Sequence, residues 1–131
     1  MTQIFITQFD LNRLHKILKK RAQYDEYDRA LLVELDRARV VEPQSIPADV
    51  ITMNSLVKLT DESGKSSEYS LVFPEDADMT AGKISVLSPI GCSLIGYKVG
   101  QSIEIPAPKG NRKLTVEEIL YQPERSGNFD L

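Results

Sequence analysis

The apolar positions of this chain change their period part-way along. From residue 7 to residue 41 they recur at helical spacing. Leu11, Leu14 and Leu18 stand three and four apart with Ile17 beside them, and Leu31, Leu35 and Ala38 repeat the interval with Leu32 alongside. The spacing predicts two amphipathic helices, each with one apolar stripe. Thr7 with Asp10 marks the first start as a capping box, the shorter Asp standing for the usual Glu or Gln. AQYDEYD between the helices is polar and holds neither glycine nor proline. Two short helices joined in this way predict an antiparallel hairpin. Helices of roughly 15 residues are only about 22 Å long at 1.5 Å per residue. With one apolar seam, such a hairpin cannot fold alone and must lean on a neighbour. The expectation is a short helical arm projecting from a body.

Pro43 and Pro47 in EPQSIPAD oppose further helix, which puts a boundary between residues 1–46 and 47–131. Beyond it the texture is that of strands. VITMNSLVKLT and SSEYSLVF flank the turn chemistry of DESGK and predict a hairpin over residues 50–74. FPEDADMTAGK is a polar, acidic connection, KISVL a short strand, and QSIEIPA with NRKLTVEEILY a second strand pair around PKGN. Between these strands, Ser88 followed by Pro89 reads as a helix start, and Gly96 as its stop with positive φ. The short helix between them is apolar on most sides and suits the open face of a curved sheet. The fold class is therefore α+β: a short helical hairpin, or coiled coil, followed by an antiparallel sheet carrying one short helix.

Composition excludes several functions. The 131 residues carry a net charge of −3, which argues against a general nucleic-acid binder. No run of about 18 apolar residues exists to span a membrane, and the start MTQIFITQFD does not read as a signal peptide. Cys92 is the single cysteine, so no internal disulfide forms. A cytoplasmic setting follows as the expectation. GCSLIGYKVG lacks the Lys-Ser/Thr of a Walker loop and is no phosphate cradle. No Cys/His cluster suggests zinc. His15, Ser88 and Ser93 lack a nucleophile-elbow context, and Cys92 reads as a small core residue. Neither a catalytic residue, a metal ligand nor a cofactor is assigned.

Two charge groups remain. Arg13, Lys16, Lys19, Lys20 and Arg21 follow one another with no acid from residue 11 to residue 24; Asp25, Glu26 and Asp28 come next. The basic group, with Lys19, Lys20 and Arg21 at its end, reads either as the solvent face of an amphipathic helix or as a patch for RNA or an acidic rim. The acidic group reads either as charge favoured at a helix N-terminus, with Asp28 and Arg29 solvated, or as a set of carboxylates for a metal.

The stretch DADMTAGKISVLSPIGCSLIGYKVGQSIEI, followed by a strand ending in ILY, resembles the C-terminal domain of the Gre transcript-cleavage factors, whose pattern includes ISxxSPxGxxLxGxxxGD; Gln101 replaces the final acid. The arm is far shorter than a Gre arm. With PADVITMNS, ELDRA and YQPE, it is similar to the Rnk branch of that family, named for regulation of nucleoside diphosphate kinase. The resemblance implies an FKBP-like sheet domain that docks on bacterial RNA polymerase near its secondary channel and competes there with Gre-type factors. Asp76, Asp78, Ser88, Pro89 and Gly91 are the implied docking residues. Nascent RNA or DNA would be met only indirectly within that complex. Two alternatives stand beside this reading. In one, Asp25, Glu26 and Asp28 form a tip that lends carboxylates to the polymerase magnesium for transcript cleavage. In the other, the protein acts directly on the kinase. Prolyl isomerisation, which the fold invites, is disfavoured: the chain has no Trp and Phe73 is the one Phe in the sheet region. The apolar seam of the arm could pair with a second copy.

Overall fold

The computed structural model describes residues 4–105 and 110–128. Strand β1 (Phe5–Thr7) leads directly into helix α1 (Gln8–Lys19), and after a bend helix α2 (Glu26–Arg37) leads into strand β2 (Arg39–Val41). Both helices start on side-chain caps. Thr7 accepts from the Asp10 backbone N–H at 3.0 Å, and Asp25 accepts from that of Asp28 at 2.8 Å. The reading of residues 7–41 as helix throughout is corrected at its far end. Arg39, Val40 and Val41 pair in parallel with Phe5, Ile6 and Thr7, so a small two-stranded sheet ties the outer ends of the helices together. Val40 and Val41 are β-branched and favour that extended state.

A five-stranded sheet forms the rest. Its strands are β3 (Leu56–Asp61), β4 (Ser66–Val72), β5 (Lys83–Ser85), β6 (Ser102–Ile105) and β7 (Arg112–Tyr121), in the order β5-β4-β3-β7-β6. The hairpin of β3 and β4 closes as its turn residues require. Asp61 Oδ1 accepts from the backbone N–H groups of Ser63 and Lys65, and Gly64 takes φ 87°. The turn expected at PKGN lies partly outside the described residues. The expectation of an antiparallel sheet needs one correction, because β5 joins β4 in parallel. The connection from Phe73 to Gly82 is long enough for that crossover. It contains two single-turn 3-10 segments, Pro74–Asp76 and Met79–Ala81, rather than a tight hairpin loop.

Helix α3 (Gly91–Leu94) is one turn, shorter than the two turns its sequence suggests. It buries Cys92 and Leu94 against the sheet. Gly96 ends it at φ 82°, and a side chain there would meet the Cβ of Ile4 at 2.6 Å. Strand β1 thus crosses directly over the end of α3.

The expected projecting arm is not what forms. Leu14, Leu18, Leu31 and Leu35 belong to one continuous buried cluster with Ile51, Met53, Leu71, Phe73, Leu94 and Ile95. The helices lie on the body with their seam turned inward. The physical reason is the one that made an isolated hairpin implausible: a helix pair this short gains too little from its own seam, and burying its leucines on the sheet domain supplies the rest.

Candidate functional site

Two regions carry the chemistry that the sequence singles out. The first is the bend between α1 and α2. Asp25 caps α2 and Asp28 returns the contact, its Oδ2 accepting from the Asp25 backbone N–H at 3.1 Å in a complete capping box. The Nε of Arg21 donates to the same Oδ2 at 2.7 Å, while Arg21 Nη2 lies 3.7 Å from Asp25 Oδ2. Asp28 is fully buried, which corrects the expectation that it is solvated. Its Oδ1 is also buried and makes no hydrogen bond. The cause is the turn itself: capping draws Asp28 inward, and Arg21 neutralises it there. Asp25 remains about half exposed and Glu26 is exposed.

This donor set does not fit a magnesium ion. One carboxylate is sealed and already compensated by a guanidinium, leaving Asp25 and Glu26 as the exposed acids of the bend. Among the described residues, no group of three or more His, Cys, Asp and Glu side chains is placed to hold a metal. Basic patch and acidic tip, separate in the sequence, are joined by Arg21. Lys19 and Lys20 are exposed, Lys19 in the last turn of α1 and Lys20 as its C-cap, where positive charge is favourable.

The second region is the connection from β4 through α3, where Asp76, Asp78, Ser88, Pro89 and Gly91 lie. Asp76 ends the first 3-10 turn and is exposed. Asp78 caps the second: its Oδ1 accepts from the Thr80 hydroxyl at 2.6 Å and the Thr80 backbone N–H at 3.1 Å. Thr80's hydroxyl hydrogen bond holds the Asp78 carboxyl below the usual aspartate range. Two backbone hydrogen bonds with Lys83, each 2.9 Å, close the base of this loop. Met79 sits at the tip with 71% of its surface exposed, between the acids and Gly82 at φ 71°. Sequence reasoning passed over Met79; the signal was an apolar residue inside a run of acids.

Ser88 acts as a cap here, as expected, though the regular turn begins at Gly91. Its hydroxyl donates to the Ser85 carbonyl at 2.6 Å and accepts from the Gly91 N–H at 3.1 Å. A Cβ on Gly91 would stand 1.9 Å from the Ser85 carbonyl oxygen, so no other residue fits without moving the strand end. Pro89 is exposed on the outside of this turn. All five residues thus lie along the 74–91 segment, Asp76, Asp78 and Pro89 exposed and Ser88 and Gly91 shaping the turn into α3. Cys92 is buried, and burial pushes its thiol up. His15 is on the surface of α1 and Ser93 Oγ donates to the Pro89 carbonyl at 3.1 Å.

Asp10 went unnoticed as more than a cap partner. Its side chain is fully buried, accepting from Arg13 Nη2 at 2.6 Å and from the Met53 backbone N–H at 3.1 Å. The Arg13 guanidinium lies over Phe9 at 4.0 Å and Phe73 at 4.6 Å. Through this pair α1 is fastened to the foot of the 74–91 segment. Burial pushes the Asp10 carboxyl up, opposed by these hydrogen bonds. At the other end of the chain, the Gln122 side chain donates to the Pro47 and Val50 carbonyls, and Glu124 accepts from the Thr52 hydroxyl at 2.7 Å. YQPE is thus a clasp on the 47–52 loop.

Two family descriptions divide the chain between them. "Rnk N-terminus" matches residues 2–41, and "Transcription elongation factor, GreA/GreB, C-term" matches residues 46–121. The chain belongs to the GreA/GreB family, in its Rnk branch. It is 37% identical over 129 residues to the "Regulator of nucleoside diphosphate kinase" of Escherichia coli (strain K12), a match covering 96% of this chain and 95% of that protein. It is 36% identical over 107 residues to the "Transcription elongation factor GreA" of Sphingopyxis alaskensis, covering 82% and 68%. Among solved structures, the "Prokaryotic transcription elongation factor GreA/GreB from Nitrosomonas europaea" superposes with a TM-score of 0.81 at 36% identity, covering 92% of this chain and all of that one. The mixed α+β fold, helices followed by a curled sheet, is therefore that of Gre structures. These relatives bear the names of regulators and elongation factors, and a transcription-factor-like role comes with the membership. No helix among the described residues is long and apolar enough to cross a membrane.

Proposed function

We propose that this Gre-family chain is a non-enzymatic regulator that docks on bacterial RNA polymerase through its 74–91 segment and competes there with Gre-type factors. The observation that carries the reading is the tip around Met79. An exposed methionine framed by Asp76 and Asp78 is held on a short, hydrogen-bonded loop, in the same segment of chain as the hydrogen-bonded Ser88–Gly91 turn. An apolar anchor inside an acidic rim suits a partner surface that is basic with an apolar pocket. Pre-formed loop geometry lowers the ordering cost of binding.

An FKBP-like sheet domain below an antiparallel helix pair, as the family resemblance implies, would make the body the gripping part. The bend supports a regulator over a cleavage factor. Asp25 and Asp28 are engaged in capping and with Arg21, Asp28 is sealed, and the bend is drawn against the body by the leucine seam. The experiment pairs two assays on the full chain. Immobilised protein should retain bacterial RNA polymerase. Arrested polymerase complexes given the protein and Mg²⁺ should show no added RNA shortening. Retention of nucleoside diphosphate kinase without polymerase would replace this reading with direct action on the kinase; added RNA shortening would replace it with cleavage.

A further inference from the structure

We infer that the outer furrow between α1 and α2 is a self-association surface, on which a second copy of this chain seats about a two-fold axis near His15 and Leu32. This goes beyond the polymerase reading and uses none of its residues. Two adjoining hollows of about 360 Å³ and 560 Å³ run along the outside of the helix pair and share His15 and Leu32 at their junction. Tyr24, Val33 and Val40 line them, three of the six exposed large apolar side chains among the described residues. Val33 alone is 59% exposed in the middle of α2, where a solvent-facing position ordinarily carries a polar residue. Burial of the inner seam leaves this second apolar strip uncovered.

The charges on its rim choose the occupant. Lys16 and Lys19 stand at the end near the bend, and Asp36 at the end near β2. Neither Lys19 nor Asp36 has an ion-pair partner among the described residues, whereas Arg21, Arg37 and Arg13 are all engaged. Lys19 lies four residues beyond His15 toward the bend, and Asp36 four residues beyond Leu32 away from it. Each is about 6 Å from the centre at 1.5 Å per residue. A two-fold axis lying in the interface through that centre, perpendicular to the line from Lys19 to Asp36, exchanges the two ends. Lys19 of each copy then faces Asp36 of the other, while the apolar centres meet. An acidic partner would meet Asp36, and a basic one the lysines, so the furrow matches itself better than either. Two helices of twelve residues present a face only about 18 Å long and 20 Å wide. That is below the roughly 800 Å² per partner of a standard stable interface, so the dimer is a transient one.

Sedimentation velocity on the full chain tests this. From about 1 µM to 1 mM, the range in which a small interface dissociates, the average mass should climb from 14.7 kDa toward twice that value. Lys19→Asp and Asp36→Lys should each weaken association about tenfold, since each turns two attractive pairs into repulsive ones. The double variant should return to near wild-type association, and an equimolar mixture of the two single variants should form a heterodimer. Both positions are exposed, so unchanged circular dichroism is the check on folding. Monomer mass throughout the range overturns the inference. So does association that the single charge reversals leave unchanged, or that the double variant fails to restore.

Discussion

Arg21 and Lys20 are neighbours in a basic run, yet the structure gives them different work. Arg21 compensates the fully buried Asp28, and its removal leaves a carboxylate in the protein interior with one hydrogen bond to a backbone N–H. Arg21→Ala is expected to cost about 2–3 kcal/mol, toward the lower side of values for broken buried pairs because Arg21 itself is partly exposed. Lys20→Ala, on an exposed position, is expected to stay within about 0.5 kcal/mol. Chemical denaturation of the two variants decides this; equal small effects would mean that Asp28 is not dependent on its partner. Glu124 offers a second residue-scale test. Burial pushes its carboxyl above the ordinary glutamate value of 4.5, with the Thr52 hydroxyl opposing. A raised folded-state pKa means that this group's contribution is full below the unfolded value and is lost as pH rises through the folded one. Glu124→Gln keeps an acceptor for Thr52 but cannot ionise. The melting temperature of the variant relative to wild type is therefore expected to be higher at pH 7 than at pH 4. A difference that is flat or falls with pH contradicts the assignment.

At the scale of elements, the helices hold the body and the body holds the helices. Leu31 is fully buried where α2 meets the cluster shared with Leu94 and Ile95. Leu31→Ala is expected to cost about 2–5 kcal/mol, within the range for truncating a buried leucine. The loss should appear as an earlier single transition by both far-UV circular dichroism and calorimetry. A split into two transitions would mean that residues 1–46 unfold separately, against the shared core. What the sequence disclosed at this scale was whatever is local. The three-and-four spacing of Leu11, Leu14 and Leu18, the Asp61–Gly64 turn, the Ser88 cap and the Gly96 stop all act over a few residues, and each is present. What it hid depends on distant partners. β1 and β2 are three residues each and exist only because they meet across the helix pair. The parallel placement of β5 follows from how the Phe73–Gly82 connection folds. Asp10 and Asp28 look like ordinary helix-start acids until the fold buries them, Asp10 against the Met53 N–H and Asp28 against Arg21.

The whole molecule is then a body with a fitted helical lid rather than a body with a finger. The site was half legible on the same grounds. Asp76, Asp78, Ser88, Pro89 and Gly91 were singled out through a family pattern, while the exposure of Met79 comes from the 3-10 turn that it opens. A finger could deliver chemistry at a distance; a fitted lid leaves docking to the surface that faces outward. The account stands on that surface, and fluorescence anisotropy measures it most directly. Labelled protein is titrated with bacterial RNA polymerase, and a Gre factor is added as competitor. Saturable binding is expected, reversed by the Gre factor and weakened at least tenfold, about 1.4 kcal/mol, by Met79→Asp or Asp76→Lys. Val33→Asp, on the helix pair, is expected to leave it unchanged. Binding that ignores the Met79 and Asp76 substitutions, or that the Gre factor does not displace, would contradict the account.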